Sequence, residues 1–138
     1  MTKDESPAAD QLVNGLLDVS HRVNQIVSVV AARHELTPQQ VGLLRMLDEP
    51  MSMRAYAEDL SCDPSNVTGL VDRAELLGLV ERVPDPVDRR VRMLTLTAKG
   101  RAVRTRVNAE LATEMAINLG SSAGDLSHIA RLIDTTTP

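Results

Sequence analysis

Apolar residues recur at helical spacing from Asp10 onward: Leu12, Leu16, Val19, Val23, Ile26 and Val30. Val13, Leu17 and Val27 widen that stripe. The pattern predicts a long first helix whose apolar face is broader than a small domain hides alone. We read it as part core and part subunit surface. A second start signal follows at Thr37-Pro38-Gln39-Gln40. Thr37 suits the cap, Pro38 the first helical position and Gln40 the return bond of a capping box, so Val41, Leu44 and Leu47 should face inward. Glu49-Pro50 ends that element. Met53 to Leu60 reads as a short helix with Ala55, Ala57 and Leu60 as its packing residues, and Ser61-Cys62 as a tight turn.

Asp63 and Pro64 then open the next helix as cap and first residue. On a helical wheel Val67, Leu70, Val71, Ala74 and Leu77 gather on one side, while Ser65, Asn66, Thr68, Gly69, Asp72 and Arg73 cover the other. Leu76 falls on the polar side and is expected to pack under the strands that follow. Gly78 stops the helix. Val80 to Val83 and Arg92 to Leu96 read as two strands. The loop between them, Pro84-Asp85-Pro86-Val87-Asp88-Arg89-Arg90, carries two prolines that stiffen it and remove donors, so it should project rather than pair. Thr97 caps a second long helix with Val103, Val107, Leu111 and Met115 on one face. After a break at Gly120 to Gly124, a short helix from Asp125 to Ile133 presents Leu126, Ile129, Leu132 and Ile133.

Composition narrows the class. The 138 residues are 43% hydrophobic but only 1% aromatic, so the core must be built from Leu, Val, Ile, Ala and Met. With 25% charged residues, the chain reads as a single soluble domain, mainly α with a small antiparallel β element. No apolar run is long enough to span a bilayer. The acidic, polar start MTKDESPAAD is unlike a signal peptide. A single cysteine, Cys62, excludes an intramolecular disulfide and fits a reducing cytoplasm.

The net charge of −4 argues at first against a nucleic-acid partner, and the distribution reverses that impression. Residues 60–106 carry 9 basic and 6 acidic groups, whereas residues 1–59 carry 5 and 9, and residues 107–138 carry 1 and 4. The positive charge therefore sits on the segment with the polar-faced helix and the Arg-tipped loop. Phosphate affinity depends on local Arg and Lys, and acidic flanks limit non-specific binding.

That order of parts suits double-stranded DNA: a helix for the major groove and a basic loop for the backbone and minor groove. Ser65, Asn66 and Thr68 are small donors and acceptors able to reach base edges or phosphates, and Gly69 lets the backbone approach closely. Asp72 opposes this unless a neighbouring Arg neutralises it. Arg89 and Arg90 sit where the negative potential of a narrow minor groove attracts a guanidinium. Asp88 is expected to pair with Arg73 or Arg90 and to set the loop against the helix.

Other chemistry is sparse. Cys62 precedes a helix start, which can lower a thiol pKa, but as a small buried residue it needs no redox role. The histidines are His21, His34 and His128; only His34-Glu35 forms a tight pair, so no metal site is expected. The nucleophile elbow, phosphate loop, HExxH and dinucleotide fingerprints are absent, so neither an enzyme nor a cofactor is expected.

Taken together, SCDPSNVTGLVDR, GLVERVPDPVDRRVRMLTLTAKG and LTPQQVGLLRML resemble the MarR (multiple-antibiotic-resistance regulator) family of winged helix-turn-helix transcription regulators. The motifs cover residues 36–104, and the helix order covers the whole chain. The resemblance implies one domain over 1–138, with residues 10–34 and 107–135 as dimerisation helices and 37–106 as a winged helix-turn-helix lobe. It implies a homodimer on a pseudo-palindromic operator, usually repressing, released by a small-molecule effector or by oxidation. It places Ser65, Asn66, Thr68, Gly69 and Arg73 on the recognition helix, Arg89 and Arg90 on the wing, and Asp88 as the residue steadying it. Ala74 stands where similar proteins usually have Leu. His34 is a candidate for lining an effector pocket, and no membrane association is implied. Two other readings remain: a small-molecule-binding protein with a secondary DNA role, and a non-specific DNA-bridging protein.

Overall fold

In the computed structural model, residues 7–60, 64–119 and 131 are described. The elements run α1 (Pro7–Arg33), α2 (Pro38–Met46), β1 (Met51–Ser52), α3 (Met53–Leu60), α4 (Pro64–Leu76), β2 (Val80–Pro84), β3 (Arg92–Leu96) and α5 (Ala98–Asn118). The chain divides into two compact units, residues 31–109 and residues 1–30 with 110–138. The short helix expected at 125–133, with Leu126, Ile129, Leu132 and Ile133, lies outside the described residues.

Residues 31–109 contain a three-stranded antiparallel sheet in the order β1-β3-β2, with α2, α3, α4 and the start of α5. The architecture is that of a winged helix: mainly helical, with a small sheet. The capping box at α2 forms as its sequence dictates. Gln40 N donates to Thr37 Oγ1 and Thr37 N donates to Gln40 Oε1, satisfying two amides that the first turn would otherwise leave unpaired. Val41, Leu44 and Leu47 are buried as expected, joined by Leu43.

In α3 the packing residue is not the expected alanine pair with Leu60. Tyr56 is buried, and Leu60 is exposed. With no other aromatic residue in the chain, this one ring fills the space that three smaller side chains were assigned. The sequence reading also omits β1. Its two residues pair Met51 with Leu94 and Ser52 with Met93, and Ser52 Oγ accepts from Ala55 N to start α3.

α4 ends in a Schellman turn. Gly78, at φ +71, donates to Glu75 O, and Leu79 N donates to Ala74 O. This reversal corrects two expectations. Leu77 is exposed and Leu79 takes its place in the core; Leu76, 88% exposed, lies under no strand. Ala74, which stands where similar proteins usually have Leu, is buried. Thr97 then fastens the start of α5 to that turn, donating from Oγ1 to Gly78 O and accepting from Gly100 N. Arg104 donates to Leu47 O and Asp48, linking α5 to the end of α2.

In the other unit, α1 buries Ile26 and Val30 but leaves Leu12, Val13, Leu16, Leu17 and Val19 exposed, Leu16 at 57% and Leu17 at 64%. The apolar stripe is thus covered at its C-terminal end only. On α5, Leu111 is buried and Met115 half-buried.

Candidate nucleic-acid interface

α4 has a dry back and a wet front. Val67, Leu70, Val71 and Ala74 are buried, so the helix is anchored along its length by apolar contact. Asn66, Thr68 and Arg73 are exposed on the outer side, with Gly69 half-buried between them. A Cβ at Gly69 would meet Arg73 Nη1 at 3.5 Å, so the guanidinium folds back along the helix over the glycine. Gly69 therefore makes room for Arg73 as well as for a close backbone approach. The backbone of Ser65 lies in the first turn of α4. Cys62 and the expected cap Asp63 lie outside the described residues.

The β2–β3 hairpin is in register from Val80 opposite Leu96 to Pro84 opposite Arg92. Pro84 thus belongs to the strand, and the connecting loop is 85–91. That loop closes on itself more than its prolines imply. Asp85 N donates to Val91 O, and Val91 N donates to Asp88 O. Each aspartate also caps the amide two residues on: Asp85 Oδ1 accepts from Val87 N, and Asp88 Oδ1 accepts from Arg90 N. Asp88 further accepts from Arg90 Nε at 3.1 Å and Nη2 at 3.3 Å. Of the two partners expected for Asp88, the structure selects Arg90 rather than Arg73. Hydrogen bonds from the Arg90 guanidinium, then from its backbone amide, hold the Asp88 carboxyl below its usual value. Arg90 is nonetheless 91% exposed, and Arg89 is exposed beside it, so both present charge to solvent.

The link between loop and helix falls to a residue that sequence reasoning missed. Arg82, inside β2, donates to Asp72 Oδ1 at 2.6 Å and to Glu75 Oε1 at 3.1 Å. The bond to Asp72 is the main cause that raises the Arg82 pKa above its ordinary value. This pairing answers the objection raised by Asp72: its charge is neutralised from the strand side, leaving the outer face to Asn66, Thr68 and Arg73. The signal was present in an Arg just after the helix stop, but strand alternation gives no hint that it reaches backward.

His34 lies past the end of α1, half-buried, and no group of three or more metal-ligating side chains occurs among the described residues. No described helix is long and apolar enough to cross a membrane.

Residues 36–91, from the start of α2 through the loop, match the model of the MarR family. The homoprotocatechuate degradative operon repressor of Escherichia coli is 32% identical over 107 residues, covering 74% of this chain and 70% of the repressor. The chain belongs to the MarR family. The transcriptional activatory protein BadR of Rhodopseudomonas palustris is 42% identical over 73 residues, which is 49% of this chain. This MarR-family chain spans less than half of BadR's length, 42%. Among solved structures, CouR from Rhodococcus jostii RHA1, bound to p-coumaroyl-CoA, superposes with a TM-score of 0.77, at 25% identity, covering 95% of this chain and 92% of CouR.

Proposed function

We propose that this protein is a homodimeric regulator that binds a pseudo-palindromic operator and represses transcription by occluding a promoter. The observation that carries this reading is the pairing of α4, polar in front and apolar behind, with a hairpin tip whose Arg89 and Arg90 are exposed, Arg90 held by Asp88. Asn66, Thr68, Gly69 and Arg73, with Ser65 beside them, read the major groove; Arg90 enters the minor groove, steadied by Asp88. Residues 37–106 form the DNA-binding lobe. Residues 10–34 and 107–135 supply the dimer interface, for which the exposed Leu12, Leu16 and Leu17 are the support. Two such lobes about one helical turn of DNA apart would match the two half-sites. A small-molecule effector releases the operator by favouring a DNA-incompetent population.

The test is fluorescence anisotropy with DNA from the gene's own upstream region against scrambled DNA, over a salt series, with Arg90→Ala beside wild type. A sequence preference with a steep salt slope, reduced in the variant, supports the reading. Equal binding to both DNAs favours non-specific bridging, and no binding favours a ligand-binding protein. The name of BadR favours a second direction of control, activation; a reporter fused to the same upstream region separates the two by the sign of the response.

A further inference from the structure

Leu76 closes α4 with its side chain 88% exposed. At about 3.6 residues per turn it falls on one row with Gly69 and Asp72, opposite the buried Val67, Leu70, Val71 and Ala74. That row is the middle of the face assigned above to DNA. Helix propensity does not ask for Leu at such a place, since Lys, Arg, Gln and Glu serve about as well and stay solvated. Packing does not ask for it either, because the side chain lies almost wholly outside the fold.

The C-terminal half of α4 is also relieved of the charges that would keep a nucleic acid away. The carboxylates of Asp72 and Glu75 both accept from Arg82. The last carbonyls of a helix carry partial negative charge. Here Lys99 Nζ donates to Leu77 O at 2.8 Å, and Thr97 Oγ1 donates to Gly78 O. Each of these acceptors has its own donor, and Leu76 protrudes from among them. What it can meet in a major groove follows from chemistry. The base edges there are hydrogen-bond donors and acceptors, which an alkyl chain would cover and leave unsatisfied. The exception is the 5-methyl group of thymine.

We infer that Leu76 is a further specificity-determining residue, seated on the 5-methyl group of a thymine in the major groove. The inference rests on the operator reading proposed above and adds an apolar contact to the polar set of Asn66, Thr68 and Arg73. From Gly69 to Leu76 the helix advances about 10 Å, or about three base steps. For a helix lying along the groove, this thymine therefore sits toward one end of the half-site. Cytosine offers no methyl there, so the contact selects thymine over it.

The test replaces the thymines of the bound upstream DNA one at a time by deoxyuridine, which removes the methyl and keeps the base pair. Affinities are measured by fluorescence anisotropy for the full chain and for Leu76→Ala. Ala keeps the helix and loses no buried contact, so the variant is expected to fold; a melting curve confirms this. The expected result is one thymine per half-site whose replacement weakens wild type about three- to fivefold. Leu76→Ala should bind the unmodified DNA about as weakly as wild type binds that uracil DNA, and should be indifferent to the replacement. Losses that add at every thymine, or wild-type affinity in Leu76→Ala, overturn the contact while leaving the operator reading intact. No sequence preference in wild type overturns the operator reading and this contact with it. A changed oligomeric state of Leu76→Ala without DNA, read by sedimentation, assigns the side chain to a protein contact and overturns the inference as well.

Discussion

Arg82 on β2 grips two carboxylates one helical turn apart on α4, Asp72 at 2.6 Å and Glu75 at 3.1 Å, so the strand leading to the hairpin tip is fastened to α4. Arg82 is 24% exposed and its partners more so, which places each pair between a surface and a buried bridge. A double-mutant cycle of Arg82→Met and Asp72→Asn should give a coupling of about 0.5–1 kcal/mol by urea denaturation. The larger consequence is geometric. If the grip aligns wing and helix, Arg82→Met should weaken operator binding more than its stability loss explains, and adding Arg90→Ala should then cost less than it does in wild type. Fully additive losses in DNA affinity would show that Arg82 only stabilises the lobe.

Gly100 and Gly42 make opposite predictions from the same substitution. A Cβ at Gly100 would overlap the carbonyl oxygen of Leu79, a backbone atom held in place by the Schellman turn and by Thr97 N, which donates to it. Nothing there can swing aside, so Gly100→Ala should destabilise by about 2–3 kcal/mol. Gly42 has open space around its Cβ position, and Gly42→Ala should stabilise by roughly 0.5–1 kcal/mol through helix propensity. Denaturation midpoints of the two variants measure both, and equal shifts would contradict the close approach at Gly100.

Glu35 is the one non-glycine residue of positive φ among the described residues, at +57. It closes α1 in the same turn that Gly78 makes for α4: Glu35 N donates to Ala32 O, and Leu36 N to Ala31 O. Side chains in this left-handed region cost about 1 kcal/mol or more relative to glycine. Glu35→Gly should therefore raise stability by up to about 1 kcal/mol, offset in part by the greater freedom of the unfolded chain. A lower denaturation midpoint would mean that the Glu35 side chain contributes more than its backbone costs.

Much of this architecture was legible because its boundaries are written in local chemistry. Thr37-Pro38-Gln39-Gln40 encodes its own cap, α3 spans Met53–Leu60 as read, and β3 spans Arg92–Leu96 as read. What escaped depends on residues distant in the chain. β1 is two residues long and exists only because Met51 and Ser52 meet Leu94 and Met93. A helical wheel carried past Gly78 places Leu77 inward, whereas the reversal there delivers Leu79 instead. Of the interface, the outward residues of α4 and the Arg tip could be read from pattern. The clamp at Arg82 could not, since no period links a strand residue to the helix before it.

Asp88 gives the wing a pH dependence whose direction follows from its partner. Arg90 holds the Asp88 carboxyl below its ordinary value of 3.8, through the guanidinium first and the backbone amide second. A carboxylate of lowered pKa stabilises the folded loop above the ordinary value, and that contribution is lost as pH falls through the lowered one. The pair is therefore at full strength near neutrality, and the loop should loosen only in acid. A carbon NMR titration should place the Asp88 midpoint below 3.8 in wild type. In Arg90→Gln the guanidinium is gone and the backbone amide remains, so the midpoint should move back toward the ordinary value. An unchanged midpoint would show that the guanidinium contact is not formed in solution. At neutral pH, Asp88→Ala should weaken operator binding about two- to fivefold although it removes a negative charge, because it frees Arg90 from the position the aspartate sets. Tighter binding by this variant would mean that Asp88 acts only as a repelling charge.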